Sequence, residues 1–285
     1  MGTNSIQKHY LDTSIVRPML LGTLVYKQYL ASHFGNDPCY ISQFIRMEFN
    51  RSYLLKIIGF YFTIRLPTME TIDDAFSYWS NKYKSSELKA IIQLVAEIIR
   101  WRAIDLNRPH DKPKALRQLG RYIKRIEYKL RRELNDIGKD STRCVRAAVP
   151  LKADPEDIAA GFRNFLEAFD DEETCRKLCR IDHFLFSRYI SEIEGYIKKA
   201  DELPTNNDTR GFKKIAKNLK KLLDKGKELC SCKMCGNIGD AVIALDAPRN
   251  MKLECIDRAF DYLCPPVNQP HKRHPSEISF IPEKI

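Results

Sequence analysis

His9-Tyr10-Leu11-Asp12-Thr13-Ser14 closes a short strand, predicted over residues 6–12, on a carboxylate, and a helical pattern from Ser14 to Phe34 carrying Leu20, Leu21, Leu24, Val25 and Leu30 follows at once. A strand that hands over to a helix at a polar residue opens an α/β unit. The pattern repeats at Pro38-Cys39-Tyr40-Ile41-Ser42, a second short strand. Ser42 there reads as the N-cap of a helix carrying Phe44, Ile45, Met47, Leu54, Leu55 and Ile58, with Glu48 in its second turn. It returns near the other end of the chain. After the Gly236-Asn-Ile-Gly239 break an amphipathic helix is predicted from Asp240 to Pro248, then a strand from Met251 to Ile256 that ends at Asp257. A helix from Arg258 to Leu263 and a late strand, Ile278 to Ile281, finish the pattern. The expected fold is α/β, a parallel sheet between helical layers, assembled from residues 1–66 and 230–285 and interrupted by residues 67–229.

Residues 67–229 read as helical almost throughout, with breaks at 107–109, 150–155 and 203–208 and no strand pattern. From Lys112, one face gathers Leu116, Leu119, Ile123, Ile126, Leu130 and Leu134, and the opposite face gathers Arg117, Arg121, Lys124, Arg125, Lys129 and Arg132. From Phe212 the arrangement recurs, with Ile215, Leu219, Leu222 and Leu223 opposite Lys213, Lys214, Lys217, Lys220, Lys221 and Lys225. A pair of such helices suits a phosphate backbone. An acidic stretch from Asp154 to Glu173 lies between them, either bound to the basic stripes within the fold or, like the stripes themselves, a solvated helix face.

The whole chain of 285 residues carries 48 Lys and Arg against 37 Asp and Glu, a net charge of +11, which implies a polyanionic partner, nucleic acid or an anionic membrane. The most apolar run, Tyr53 to Leu66, is broken by Lys56 and Arg65 and is too short for a bilayer of roughly 30 Å, so a membrane span is not expected. The first ten residues have no apolar core of signal-peptide length, and nine cysteines are an odd number, so thiols in the cytoplasm are expected rather than a disulfide framework.

Asp12 and Asp257 both follow predicted strands, and ligands of open α/β sheets collect beyond the carboxyl ends of strands. Asp240 opens one predicted helix and Glu48 projects from another, so four carboxylates converge and repel one another unless cations sit between them. Oxygen donors of this kind suit magnesium or manganese, which activate water and stabilise the leaving oxygen of a phosphodiester. Singly, each acid has a plainer reading as an N-cap or a solvated helix residue. The sequence contexts resemble the PIN domain family of metal-dependent ribonucleases, which includes toxins of bacterial toxin-antitoxin pairs. The matching pieces are Leu11-Asp12-Thr13-Ser14, Ile41-Ser-Gln-Phe-Ile-Arg-Met-Glu48-Phe, Gly239-Asp240-Ala-Val-Ile-Ala-Leu and Leu253-x-Cys255-x-Asp257-x-x-Phe260. The resemblance implies that Asp12, Glu48 and Asp240 hold the metal, that Asp257 is a fourth acid, and that RNA is favoured over DNA. It also implies a protein inhibitor or antitoxin as partner. Cys255 stands where that family commonly has Thr, and the helical stretch 67–229 has no counterpart in a minimal PIN domain.

Cys230-Ser-Cys232-Lys-Met-Cys235-Gly has the form of half a zinc knuckle, and Cys175 with Cys179, four apart on a helix face, supplies a second pair. The expectation is a structural zinc on Cys175, Cys179, Cys232 and Cys235, or else free thiols. Cys255, Cys264, His271 and His274 are further zinc candidates, although His271-Lys-Arg-His274 reads more simply as a solvated loop. Trp79 and Trp101 sit among apolar helix positions and are expected in the core.

Overall fold

The computed structural model describes residues 6–22, 24–82, 95, 104–137, 146, 149, 151, 157–225 and 232–276. The first strand, β1 (His9–Leu11), leads into α1 (Thr13–Leu21) and α2 (Leu24–Phe34), and β2 (Cys39–Ile41) leads into α3 (Gln43–Phe49), a π turn (Asn50–Leu54) and α4 (Leu55–Arg65). Then come α5 (Ile72–Lys82), α6 (Lys112–Arg132), β3 (Asn135–Asp136), α7 (Ile158–Asp170), α8 (Glu172–Leu178), α9 (Ile181–Arg188), α10 (Ile190–Glu202) and α11 (Arg210–Lys225). The chain closes through α12 (Cys232–Asp246), β4 (Lys252–Cys255), α13 (Phe260–Leu263) and β5 (His271–Arg273). The predicted strand Ile278 to Ile281 and Trp101 lie outside the described residues.

The five strands form one sheet in the order β3-β2-β1-β4-β5, and every pairing is parallel. The α/β class read from the sequence is therefore observed. Starting from β1, the chain first adds β2 and β3 on one side, then β4 and β5 on the other, so the order of the sheet reverses between β1 and β4. Successive residues of β1 turn to opposite faces. His9 meets Phe34 of α2 at 5.0 Å between rings, whereas the Tyr10 hydroxyl donates to Asp246 of α12 at 3.3 Å. Both sheet faces are thus covered, as a parallel sheet requires.

Two compact units share the chain: one holds residues 1–48, 134–149 and 168–279 and contains the sheet, and the other holds residues 49–133, 150–167 and 280–285. In the second unit α4 packs against α5 and α6. Phe60 lies between Phe76 at 4.7 Å and Trp79 at 5.4 Å, and the Trp79 indole donates to Thr63 at 2.8 Å. Trp79 is a core residue, as expected. Ala115, Leu119, Ile123, Ile126 and Leu130 are buried along α6, while Arg117, Arg121 and Arg125 are exposed and Lys124 half-buried. The apolar and basic faces of this helix fall where its periodicity places them.

Four local expectations are corrected. The single helix of Ser14 to Phe34 is two helices, because the backbone turns extended at Gly22 and its N–H bonds Pro18 O at 2.9 Å. A Cβ there would lie 2.2 Å from that same carbonyl oxygen, so only glycine fits. No strand pattern is legible between 67 and 229, yet Asn135–Asp136 pairs with Tyr40–Ile41. Two residues are too few to show alternation, and long-range contacts hold them: Asn135 donates to Cys39 O at 3.1 Å and Arg46 pairs with Asp136 at 3.3 Å. The predicted helix from Asp240 in fact begins at Cys232, so Cys232 and Cys235 lie in the first turn of a helix and not in a knuckle loop. Finally, His271–Arg273 is a strand beside β4, and His274 beyond it is buried rather than solvated.

Candidate active site

Asp12 follows the last residue of β1, and Asp257 lies two residues beyond β4, the neighbouring strand. Both therefore stand at carboxyl ends that flank the reversal in strand order, the position where open α/β sheets form their crevice. Ser14 staples the two ends together. Its hydroxyl donates to Asp12 and accepts the N–H of Ile256 at 3.0 Å, and its own N–H donates to Asp12 at 2.9 Å as the cap of α1. Asp257 accepts the Ala259 N–H at 2.8 Å and stays exposed.

Glu48 comes from α3 and is oriented by Thr13, whose hydroxyl donates to Oε2 at 2.5 Å. Asp240 comes from the third turn of α12, one residue after Gly239. A Cβ at Gly239 would stand 2.8 Å from Glu48 Oε1, so this glycine is the gap that admits Glu48 beside Asp240. The expected chain break at Gly236 and Gly239 is thereby explained as a helix that needs a missing side chain rather than a turn.

The four acids feel one another. Burial raises the Asp240 carboxyl well above the ordinary carboxylate range, and the charges of Asp12, Asp257 and Glu48 raise it further. Burial also raises Asp12; the hydrogen bonds from Ser14 oppose that rise and Asp257 adds to it. One cation works in the other direction: Lys214 lowers Asp240. Lys214 belongs to α11, whose second residue, Gly211, has its Cβ position 3.9 Å from Asp257 Oδ1. Lys214 was legible only as one more lysine of a basic stripe; nothing local marks it as the lysine facing the acids.

The basic stripe of α11 divides in space. Lys213 donates to Thr205 at 3.0 Å, and Lys220 lines a groove with Glu194, Asp201, Glu202 and Asp224. Lys214, Lys217, Lys221 and Lys225, at steps of three and four, are exposed along the side that starts at Asp240. The basic residues of α6 lie in the other compact unit. Of the acidic stretch, Glu173 pairs with Lys177 in its own helix and Asp171 caps α8.

Cys179 neighbours both Cys175 and Cys235 and all three are buried, but their three sulfurs do not all lie within 4.8 Å of one another. The side chain of Cys232 lies outside the described residues. Beside them Arg146 is 4% exposed, with Nε and Nη2 buried without hydrogen bonds. Cys255 donates instead to Lys272 O at 3.6 Å.

A second cluster is foreshadowed by no motif in the sequence. Glu254, in β4, is fully buried, with His9 Nδ1 2.7 Å from Oε1, and His274 Nε2 at 2.7 Å and His33 Nε2 at 3.5 Å from Oε2. Burial alone would raise this carboxyl, but hydrogen bonds from His274 and His9 outweigh it and hold it below the usual range. Among the described residues, His9, His33 and Glu254 form the one group of three or more His, Cys, Asp or Glu side chains whose donor atoms all lie within 4.8 Å. The four acids at the strand ends are more widely spaced. No helix among the described residues is long and apolar enough to cross a membrane. No protein-family model, curated protein or solved structure matches this chain.

Proposed function

We propose that this protein is a metal-dependent ribonuclease with a PIN-like α/β/α core, hydrolysing RNA phosphodiester bonds at the acid cluster. The observation that carries the proposal is the meeting of Asp12, Glu48, Asp240 and Asp257 from four separate elements at the point where the strand order reverses. A carboxyl raised by burial and by the charges of three further acids is an arrangement a fold does not keep for stability. They fit a hard cation: every donor is an oxygen, and a cation relieves the repulsion. Asp12, Glu48 and Asp240 would hold magnesium or manganese, with Asp257 completing a second position. Such a cation supplies a bound water of lowered pKa and a Lewis acid for the leaving oxygen. The chain's own part is to fix the acids. Ser14 holds Asp12 in place, Thr13 aims Glu48, and Gly239 lets Glu48 approach. Lys214 offers a positive charge to a phosphate beside Asp240.

The deciding experiment is cleavage of end-labelled single-stranded RNA and DNA by wild type and Asp240→Asn with magnesium, manganese or chelator. Gly239→Ala gives an independent check. Its methyl group displaces Glu48, so cleavage is expected to fall about 10²-fold, the scale of a misplaced catalytic group. Thermal stability should hold or rise, since alanine favours a helix by about 1 kcal/mol over glycine. Full activity in Gly239→Ala would remove Glu48 from the site.

The exposed row Lys214, Lys217, Lys221 and Lys225 gives RNA a track leading away from the acids, and Arg117, Arg121, Lys124 and Arg125 on α6 give a second basic surface. Lys213 donates to Thr205 and Lys220 opens on a groove lined by four acids, so both contribute less. Changing Lys217 and Lys221 to Gln is expected to weaken binding of single-stranded RNA and to reduce the slope of log K against log salt by roughly 0.7 for each phosphate no longer neutralised. The same pair of changes at Lys213 and Lys220 should do much less; equal effects would contradict the track.

For the cysteines we propose a structural zinc on Cys175, Cys179 and Cys235, with Cys232 as fourth ligand. Arg146 supports this, because a buried guanidinium with unpartnered nitrogens suits a thiolate cluster and does not suit three neutral thiols. The cytoplasm and a small protein inhibitor that co-purifies with the chain belong to the same proposal. The alternative is a PIN-like scaffold that binds nucleic acid without turnover. The wide spacing of the acid oxygens favours it, and binding without cleavage under every metal condition would establish it.

A further inference from the structure

The cluster around Glu254 is built like a metal site from the inside outward. Three imidazoles turn one nitrogen each toward a carboxylate that has no exposure to solvent: His9 Nδ1, His33 Nε2 and His274 Nε2. Each imidazole has its other nitrogen near an outer group, His9 Nε2 at 3.5 Å from Asp37, His274 Nδ1 at 3.3 Å from the Tyr29 hydroxyl, and His33 Nδ1 at 3.3 Å from Lys272. An outer acceptor fixes the ring orientation of a metal-binding histidine, and Asp37 is placed to do so for His9, whereas Lys272 beside His33 is a donor. His33 Nε2 is buried with no hydrogen bond of its own. A proton network alone would leave that nitrogen unsatisfied at a cost, whereas a metal would use it.

We infer that His9 Nδ1, His33 Nε2 and one oxygen of Glu254 bind a zinc ion, while His274 holds the other oxygen of Glu254 in position. Zn–N and Zn–O bonds of about 2.0–2.2 Å in a tetrahedron place neighbouring donors about 3.3 Å apart. His9 Nδ1 is 2.7 Å from Oε1 and His33 Nε2 is 3.5 Å from Oε2, so the two rings face opposite oxygens of the carboxylate, and donor atoms of His9, His33 and Glu254 all lie within 4.8 Å of one another, near enough to close on one ion. Imidazole with one carboxylate suits zinc better than magnesium, which takes oxygen donors and keeps its waters. The ion ties α2 to β1 and β4. Those are the strands that end in the candidate active site: Asp12 comes three residues after His9, and Asp257 three residues after Glu254. Lys272 stands against the site. Its ammonium is close to His33 Nδ1, which must carry a proton once Nε2 is bound, so the lysine has to turn away when zinc enters.

The test is zinc content by mass spectrometry, on full-length protein stripped of metal, reloaded with zinc and desalted. His33→Gln is the informative variant, since His33 lies on a helix with part of its side chain open to solvent and its loss leaves the strands intact. One equivalent fewer than wild type is expected, with a lower unfolding temperature after loading. Lys272→Met should bind zinc more tightly than wild type, an effect a structural hydrogen-bond network would not produce. Cobalt bound in a Cys175→Ser, Cys235→Ser background should lack a sulfur-to-metal charge-transfer band and disappear with His33→Gln, separating this site from the cysteines. Asp240→Asn should leave the count unchanged. Equal zinc in wild type and His33→Gln, with folding intact, would overturn the inference whatever the outcome of the cleavage assays.

Discussion

Asp240→Asn is expected to lose metal-dependent cleavage by on the order of 10³-fold or more, about 4 kcal/mol of transition-state stabilisation, and at the same time to melt at a higher temperature than wild type in chelator. The two effects have one cause. Burial and three neighbouring acids raise the Asp240 carboxyl, so the folded protein binds a proton there that the unfolded chain gives up more readily. A carboxyl raised in the folded state adds stability at low pH that is lost as pH rises through its folded value. At neutral pH without metal, the wild type carries that repulsion and the amide does not. Each kcal/mol relieved is worth roughly 2–4 °C in domains of 150–250 residues. Differential scanning fluorimetry in chelator, beside the cleavage assay, reads both effects. Retained cleavage would sink the nuclease. Lost cleavage with a lowered melting temperature would mean that Asp240 supports the fold and that its role in chemistry is unproven.

Phe212→Ala should destabilise the protein by about 3–5 kcal/mol, the cost of emptying a fully buried aromatic position. Phe212 stacks on Tyr262 at 5.3 Å and meets Tyr196 at 6.2 Å, while the Tyr196 hydroxyl donates to Leu263 O at 2.8 Å. This aromatic group anchors the first turn of α11 to α10 and α13. Lys214 and Gly211 flank Phe212, so releasing it loosens the cation that faces Asp240 and the backbone beside Asp257. Cleavage should fall with stability. Phe212→Leu, which keeps most of the volume, should cost below about 1.5 kcal/mol and keep both. Denaturant unfolding decides: a loss under about 1 kcal/mol in the alanine variant would show that α11 is held by something else.

What could be read from the sequence follows from how far each signal reaches along the chain. Strand-then-acid at Asp12 and Asp257, and the two-faced helices α6 and α11, are written in consecutive residues, and the α/β class followed from them. The start of α12 was misread because glycine normally marks a turn, and Gly239 is instead demanded by Glu48. β3 was invisible because two residues have no period. The Glu254 cluster draws on positions 9, 33, 254 and 274, which share no spacing that a motif could record. Lys214 was hidden among identical neighbours, distinguished only by where α11 packs.

The parallel pairing of β1 with β4 also sets a schedule. His9 pairs with Lys252, 243 positions further along (252 − 9). At roughly 5–20 residues per second of synthesis, β1 waits some 12–50 s for that neighbour. Through this interval the nascent chain holds Asp12 and Glu48 but neither Asp240 nor Asp257, and the partial sheet ends at β1. On the proposed reading, the acid cluster stays incomplete beside the messenger that encodes it until α12 and β4 have been made.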